Sequence, residues 1–231
     1  MKFFNFLIII FISLTSSIKA DLNENLINQL EEGGKLIFIR HAYAPGSGDP
    51  NNFNLNDCST QRNLSEEGKK QAKSIGKFFI KNEIEIDKVL SSEWCRCKET
   101  AKIAFKDYTT KSFLNSFYSS KFAKNKDKQV KALKEYVKNY KNNNNENLVL
   151  VTHYVLISEI LNYGSSSGEI VVSDKNFNII DTQEISYWIM SSKRAMKQAQ
   201  KQAYARHRSN ITNSRFGLRK KNFIKKNKKK N

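Results

Sequence analysis

The sequence predicts an α/β fold, a three-layer sandwich in which helices flank a largely parallel central sheet. Three observations lead there. "LIFIR" from Leu36 and "LVLVT" from Leu148 are apolar runs without alternation, the pattern of strands buried on both faces. Strand-like and helix-like stretches alternate along the chain, which favours parallel strands joined by crossover helices. Three strand ends run straight into polar, chemically capable residues, and open α/β sheets bind ligands at that edge.

In chain order, Asp21 to Leu30 reads as a short lead-in helix stopped by Gly33 and Gly34, with Lys35 to Arg40 as the first strand. Ala44 to Gln61 is a loop rich in Gly, Pro, Asn and Asp, long enough to expect a functional role. Ser65 suits an N-cap, with Glu66 and Glu67 placed for the positive end of the helix dipole. In the helix that follows, Ala72, Ile75, Phe79 and Ile80 form the expected buried stripe, and Lys69, Lys70, Lys73 and Lys77 the wet face. Lys88 to Ser92 is a second strand and Cys95 to Phe105 a helix. Val130, Leu133, Val137 and Tyr140 mark another helix, ending in the Asn-rich Lys141 to Asn145. After Leu148 to Thr152 come a helix over Val155 to Leu161 and a last strand over Glu169 to Val172.

The domain boundaries are read from the ends inward. Residues 1–20 have the make-up of a secretory signal: Lys2, an apolar core from Phe3 to Leu14, and small residues up to Ala20. Such a core is shorter than the roughly 20 residues of a bilayer span, so cleavage after Ala20 is expected, with an uncleaved N-terminal anchor as the alternative. The protein is therefore expected to be exported, to a periplasm or the extracellular space. Residues 191–231 hold 15 Lys and Arg and no acid, and are expected to be a basic, disordered tail. With Lys2 and Lys19 also set aside, residues 21–190 contain 23 of the 40 basic residues against all 22 acidic ones. The stretch 21–190 is thus nearly neutral, and 15 of the 18 net positive charges belong to the tail. That tail would attract polyanions such as an anionic envelope surface; no specific nucleic-acid recognition is expected.

Cys58, Cys95 and Cys97 all fall in the exported domain, where Cys58 could bridge to either of the other two. A second Cys pair or a histidine cluster is missing, so neither a metal nor a cofactor is expected.

The chemistry concentrates at the strand ends. Arg40 and His41 follow the first strand, Ser91 to Arg96 the second, and His153 follows "LVLVT". Two guanidinium forks suit a tetrahedral dianion, and a neutral imidazole beside them can attack phosphorus. Arg62 and Tyr43 are candidate substrate contacts. Asp49 and Asp57, by their position in the long loop, and more weakly Glu169, are the candidate general acids for protonating a leaving group.

"FIRHA", "SSEWCRCKETA" and "VTHYV" together resemble the histidine phosphatase superfamily, the phosphoglycerate-mutase-like phosphatases, over roughly Lys35 to Asp174. The resemblance implies His41 as the phosphorylated nucleophile, Arg40 and Arg96 as phosphate ligands, and His153 as the second catalytic histidine. Ala42 and Thr152 stand where that family usually carries glycine. The expected activity is hydrolysis of a small phosphomonoester through a phosphohistidine without a metal. A phosphohistidine-protein phosphatase and a non-catalytic phosphate-binding module are the alternatives, the former favoured where no acid is available to protonate the leaving group.

Overall fold

The computed structural model describes residues 24–141 and 146–185. The signal-like residues 1–20, the basic segment 191–231 and the Asn-rich residues 142–145 lie outside the described residues. Residues 24–31 form helix α1. Then come β1 (Leu36–Arg40), α2 (Glu66–Lys81), β2 (Ile86–Ser91), α3 (Cys95–Phe105), β3 (Thr109–Thr110), α4 (Ser120–Ala123), α5 (Lys126–Asn139), β4 (Asn147–Thr152), α6 (Tyr154–Leu161), β5 (Ile170–Ser173) and β6 (Ile179–Gln183).

The six strands lie in the order β3-β2-β4-β1-β5-β6. The four strands β3, β2, β4 and β1 run parallel, while β5 and β6 are antiparallel additions on the other edge. The architecture is the mixed α/β sandwich that the strand–helix alternation predicts. Because successive side chains of a strand point to opposite faces, β1 and β4 divide their residues between two cores. Ile37, Ile39, Val149 and Val151 meet Ile75 and Phe79 of α2, Ala101 of α3, and Leu26 and Leu30 of α1. Leu36, Phe38, Leu148 and Leu150 meet Leu133 and Val137 of α5 and Leu156 and Ile157 of α6. Every residue of β4 is buried, which explains its unbroken apolar run.

Helix α2 begins where expected: the Ser65 hydroxyl accepts from Gly68 N at 3.1 Å. The expected stripe needs one correction, since Ile80 is 78% exposed while Ala72, Ile75 and Phe79 are buried. Ile80 directly follows Phe79, and a turn of 100° per residue carries it off the core face. Two glycines let α2 approach its neighbours. A Cβ on Gly68 would stand 2.0 Å from the Tyr43 carbonyl oxygen, and one on Gly76 would stand 2.3 Å from the Ala104 carbonyl oxygen.

The long loop is tied down rather than free. Cys58 pairs with Cys95, leaving Cys97 as a buried thiol. Residues Cys58–Thr60 form a 3-10 turn capped by Asp57, and buried Gln61 joins the loop to α3 by accepting from Cys95 N at 3.0 Å. Asp57 is thereby placed: its carboxylate accepts from Ser59 N and Ser59 Oγ on an exposed turn.

Two outcomes test this packing. Alanine normally stabilises a helix over glycine by about 1 kcal/mol, but Gly76→Ala is expected to destabilise the protein by about 1–3 kcal/mol, because α2 and α3 must separate. Urea unfolding measures it, and a gain in stability would remove the close-approach account. Reducing the Cys58–Cys95 bridge, which spans 37 residues of sequence, is expected to cost about 4 kcal/mol through the freed loop entropy of the unfolded chain. Thermal melts of Cys58→Ser against the parent, with and without reductant, check that value.

Candidate active site

The site follows from one pairing. β1 and β4 are parallel neighbours with Arg40 opposite Thr152, so the next residue on each strand, His41 and His153, emerges at the same edge. Their rings lie 5.5 Å apart, edge to face. β2 flanks β4 on the other side and delivers Ser92, and α3 starts three residues later with Arg96 in its first turn. The loop after β1 returns over this edge, bringing Asp49 and Arg62. A cavity of about 160 Å³ opens among Arg40, His41, Asp49, Arg62, Arg96 and His153.

His41 is held in one tautomer. Its Nδ1 is 2.9 Å from the Ala42 carbonyl oxygen, which can only accept, so Nδ1 carries the proton and Nε2 the lone pair. Burial pushes its pKa well below the usual histidine range, and the nearby Arg96 charge pushes it further. The result is a neutral imidazole with its Nε2 lone pair unprotonated at neutral pH.

His153 is fixed by a relay. The Glu93 carboxylate accepts from Asn115 Nδ2 at 2.6 Å, which turns Asn115 Oδ1 toward the Ser92 hydroxyl at 3.0 Å and Glu93 N at 2.9 Å. Ser92 therefore donates to Asn115 and accepts from His153 Nε2 at 2.9 Å. His153 Nδ1 is then the lone-pair nitrogen, 3.5 Å from Arg96 Nη2. Burial, then Arg96, then His41, keep this ring neutral as well. Asn115 and Glu93 were invisible to motif reading; only the sequence "SSEW" hinted that the β2 exit was polar.

Arg40 donates through Nη1 to the Ser165 carbonyl at 2.7 Å and lies 5.4 Å from the centre of the Tyr154 ring. Arg96 forms a two-pronged pair with Asp49, Nη1 to Oδ1 at 2.7 Å and Nη2 to Oδ2 at 3.3 Å. The Nε atoms of both arginines are buried without a hydrogen-bond partner. Buried unpaired donors of this kind are costly and uncommon.

The remaining candidates separate clearly. Arg62 lines the cavity and also straps the loop, donating to the Gly48 carbonyl at 2.8 Å and to the Ala44 carbonyl. Tyr43 is not among the cavity's lining residues; its backbone N–H donates to buried Gln71 instead, at 2.9 Å. Glu169 is buried and accepts from Tyr163 and Ser166 N, both at 2.6 Å, which braces the turn that presents Ser165 to Arg40. Neither Glu169 nor Asp57 lines the cavity. Asp49 does, and half-burial alone would raise its pKa, but the Arg96 guanidinium outweighs that and holds the carboxyl below its usual range. In this arrangement it is a carboxylate, not an acid ready to donate. Cys97, buried beside His153, has its pKa pushed up to about 12 and is an inert thiol at neutral pH. Among the described residues no cluster of three or more His, Cys, Asp or Glu could hold a metal ion.

Residues 36–114 match the histidine phosphatase superfamily (branch 1), the family whose motifs the sequence resembles. The matched segment carries Arg40, His41, Arg62 and Arg96, while His153 lies beyond it. No curated protein matches the chain. Similar solved structures include the protein histidine phosphatase SixA complexed with tungstate, at 14% identity over 65% of this chain and 97% of that one, with a TM-score of 0.49. TTHB049 from Thermus thermophilus is similar at 14% identity over 66% and 99% of the two chains, with a TM-score of 0.47. The open reading frame Rv3214 from Mycobacterium tuberculosis is similar at 12% identity over 65% and 95%, with a TM-score of 0.46.

The neutral histidines have a measurable consequence. An imidazole whose folded pKa lies below its ordinary 6.5 binds fewer protons folded than unfolded, so its stabilising contribution is complete above about 6.5 and is lost as pH falls toward the folded value. With two such rings the loss approaches about 2.7 kcal/mol per pH unit. His41→Asn, which keeps a donor for the Ala42 carbonyl, is expected to halve that slope. Asp49, with a pKa held below 3.8, enters only at still lower pH. Urea midpoints at pH 7.5, 6 and 5 test this, and identical slopes in parent and variant would refute it.

Proposed function

We propose that the protein is a phosphatase that hydrolyses a phosphorylated substrate through a phosphohistidine at His41. The observation that carries this reading is His41 itself: neutral, its Nδ1 bonded to the Ala42 carbonyl, and set in a cavity with three guanidinium groups. In the first step the Nε2 lone pair forms a bond to phosphorus, and the bond from phosphorus to the leaving group breaks with its electron pair leaving on that group. Water then attacks phospho-His41, releasing inorganic phosphate and restoring the neutral ring. Arg40, Arg62 and Arg96 supply positive charge to the phosphoryl oxygens as negative charge shifts between them. His153 holds its Nδ1 beside Arg96, and a phosphoryl dianion there would favour its protonation, turning it into a further donor.

With Asp49 ionised and Asp57 and Glu169 away from the cavity, a good leaving group is the substrate feature that this reading favours: aryl phosphates, acyl phosphates or phosphohistidine rather than alkyl esters. Export is part of the proposal, supported by the signal-like residues 1–20 and by a disulfide of the kind that persists in oxidising compartments. The cationic 191–231 segment is proposed to favour anionic envelope surfaces.

The test is turnover of p-nitrophenyl phosphate by the full chain in EDTA. Turnover is expected, with His41→Asn lowering kcat about a thousandfold or more and rapid quenching of the parent in alkaline detergent trapping a phosphohistidine that acid then releases. A folded protein that binds phosphate but neither turns over nor becomes labelled would instead be a phosphate-binding module.

A further inference from the structure

Asp49 reaches Arg96 as a phosphoryl group would. Its two carboxylate oxygens take Nη1 and Nη2 of the fork at 2.7 and 3.3 Å, and the Arg96 side chain is only 4% exposed. Of the five N–H groups of that guanidinium, Asp49 takes one on each terminal nitrogen; Nη1 also reaches the Arg62 carbonyl at 3.4 Å, Nη2 lies 3.5 Å from His153 Nδ1, and Nε is buried. A tetrahedral dianion that bridges Nη1 and Nη2 needs the same two N–H groups as the carboxylate, and like charges in contact at a half-buried site repel strongly.

We propose that Asp49 is a built-in competing anion: its carboxylate occupies the Arg96 fork that an incoming phosphoryl group requires, and ligand binding exchanges one anion for the other. This rests on the reading of the cavity as a phosphoryl site. The exchange has somewhere to go. Trp94 Nε1 donates to Asp49 Oδ2 at 3.1 Å and Arg62 N to Oδ1 at 3.1 Å, and both can keep the carboxylate after it leaves Arg96. Asp49 therefore satisfies a buried arginine that would otherwise be an uncompensated charge, and it raises the selectivity of the site, because only an anion stronger than a carboxylate displaces it.

A simple bracing role for Asp49 predicts the opposite sign, and that separates the two. Inorganic phosphate and sulfate, the latter a dianion that does not titrate near neutrality, are measured by calorimetry at pH 8 on the full chain. Asp49→Asn is expected to bind both about tenfold or more tightly than the parent, because the share of molecules with a free fork rises. Asp49→Ser is expected to do the same, and circular dichroism and melting establish that each variant is folded. Unchanged or weaker binding in folded variants overturns the exchange and leaves Asp49 as a brace; no anion binding in parent or variant overturns it as well. Tighter binding in the variants, in a parent that does not turn over p-nitrophenyl phosphate, would instead sink the phosphatase reading and leave the exchange standing.

Discussion

The parallel register of β1 against β4 is the constraint from which the site descends. Arg40 faces Thr152, and His41 N donates to the Thr152 carbonyl at 2.9 Å, so the backbone ladder runs one residue past the strand and fixes where the first imidazole begins. Both strands send alternate side chains into two separate cores, one under α2 and α3 and one under α5 and α6. A slip of one residue would exchange the two sets and carry His41 and His153 out of line. Packing on both faces of the sheet thus sets the geometry at its edge.

Charge at that edge is arranged so that each member alters the others. Three guanidinium groups stand around two buried imidazoles, and burial together with their field keeps both rings neutral. A neutral ring is the nucleophilic form, so the groups suited to bind a phosphoryl anion also keep the attacking nitrogen unprotonated. The same field ionises Asp49, which explains why a carboxyl inside the cavity is a poor acid there. Positive charge favours anion binding and nucleophile readiness together, and it works against proton donation.

Rigidity is supplied from outside the cavity. The Cys58–Cys95 bridge joins the loop to the first residue of α3, next to Arg96, while Arg62 donates back to the Gly48 and Ala44 carbonyls of the same loop. Glu169 and Gln71 brace the turn at 165–169 and the backbone of Tyr43 without reaching the cavity. Two residues that look chemical in the sequence, Glu169 and Tyr43, thus serve the framework. Two that draw no notice, Asn115 and Glu93, orient the second histidine through Ser92.

Local pattern determined the strands β1 and β4, the cap at Ser65, helix α3, and the placing of Arg40, His41, Arg96 and His153 at the ends of strands or the start of a helix, because unbroken apolar runs and the residues that end them are properties of neighbouring positions. It missed β3, which is two exposed residues, and β6, an edge strand with no buried residue, so neither carries a strong apolar signal. It placed Ile80 in the core, since adjacency to Phe79 says nothing about which residues a neighbouring helix can cover. It left the partner of Cys58 open and offered three carboxyls as acids. Those questions turn on pairs distant in sequence, 37 positions for Cys58 and Cys95 and 47 for Asp49 and Arg96, and only tertiary folding decides them: the closure of the loop over α3 selects Cys95, puts Asp49 on the Arg96 fork, and leaves Asp57 at the surface. Sequence specifies which side chains can do chemistry; the distances and the local field, which exist only in the folded chain, specify which of them are in position and in what protonation state.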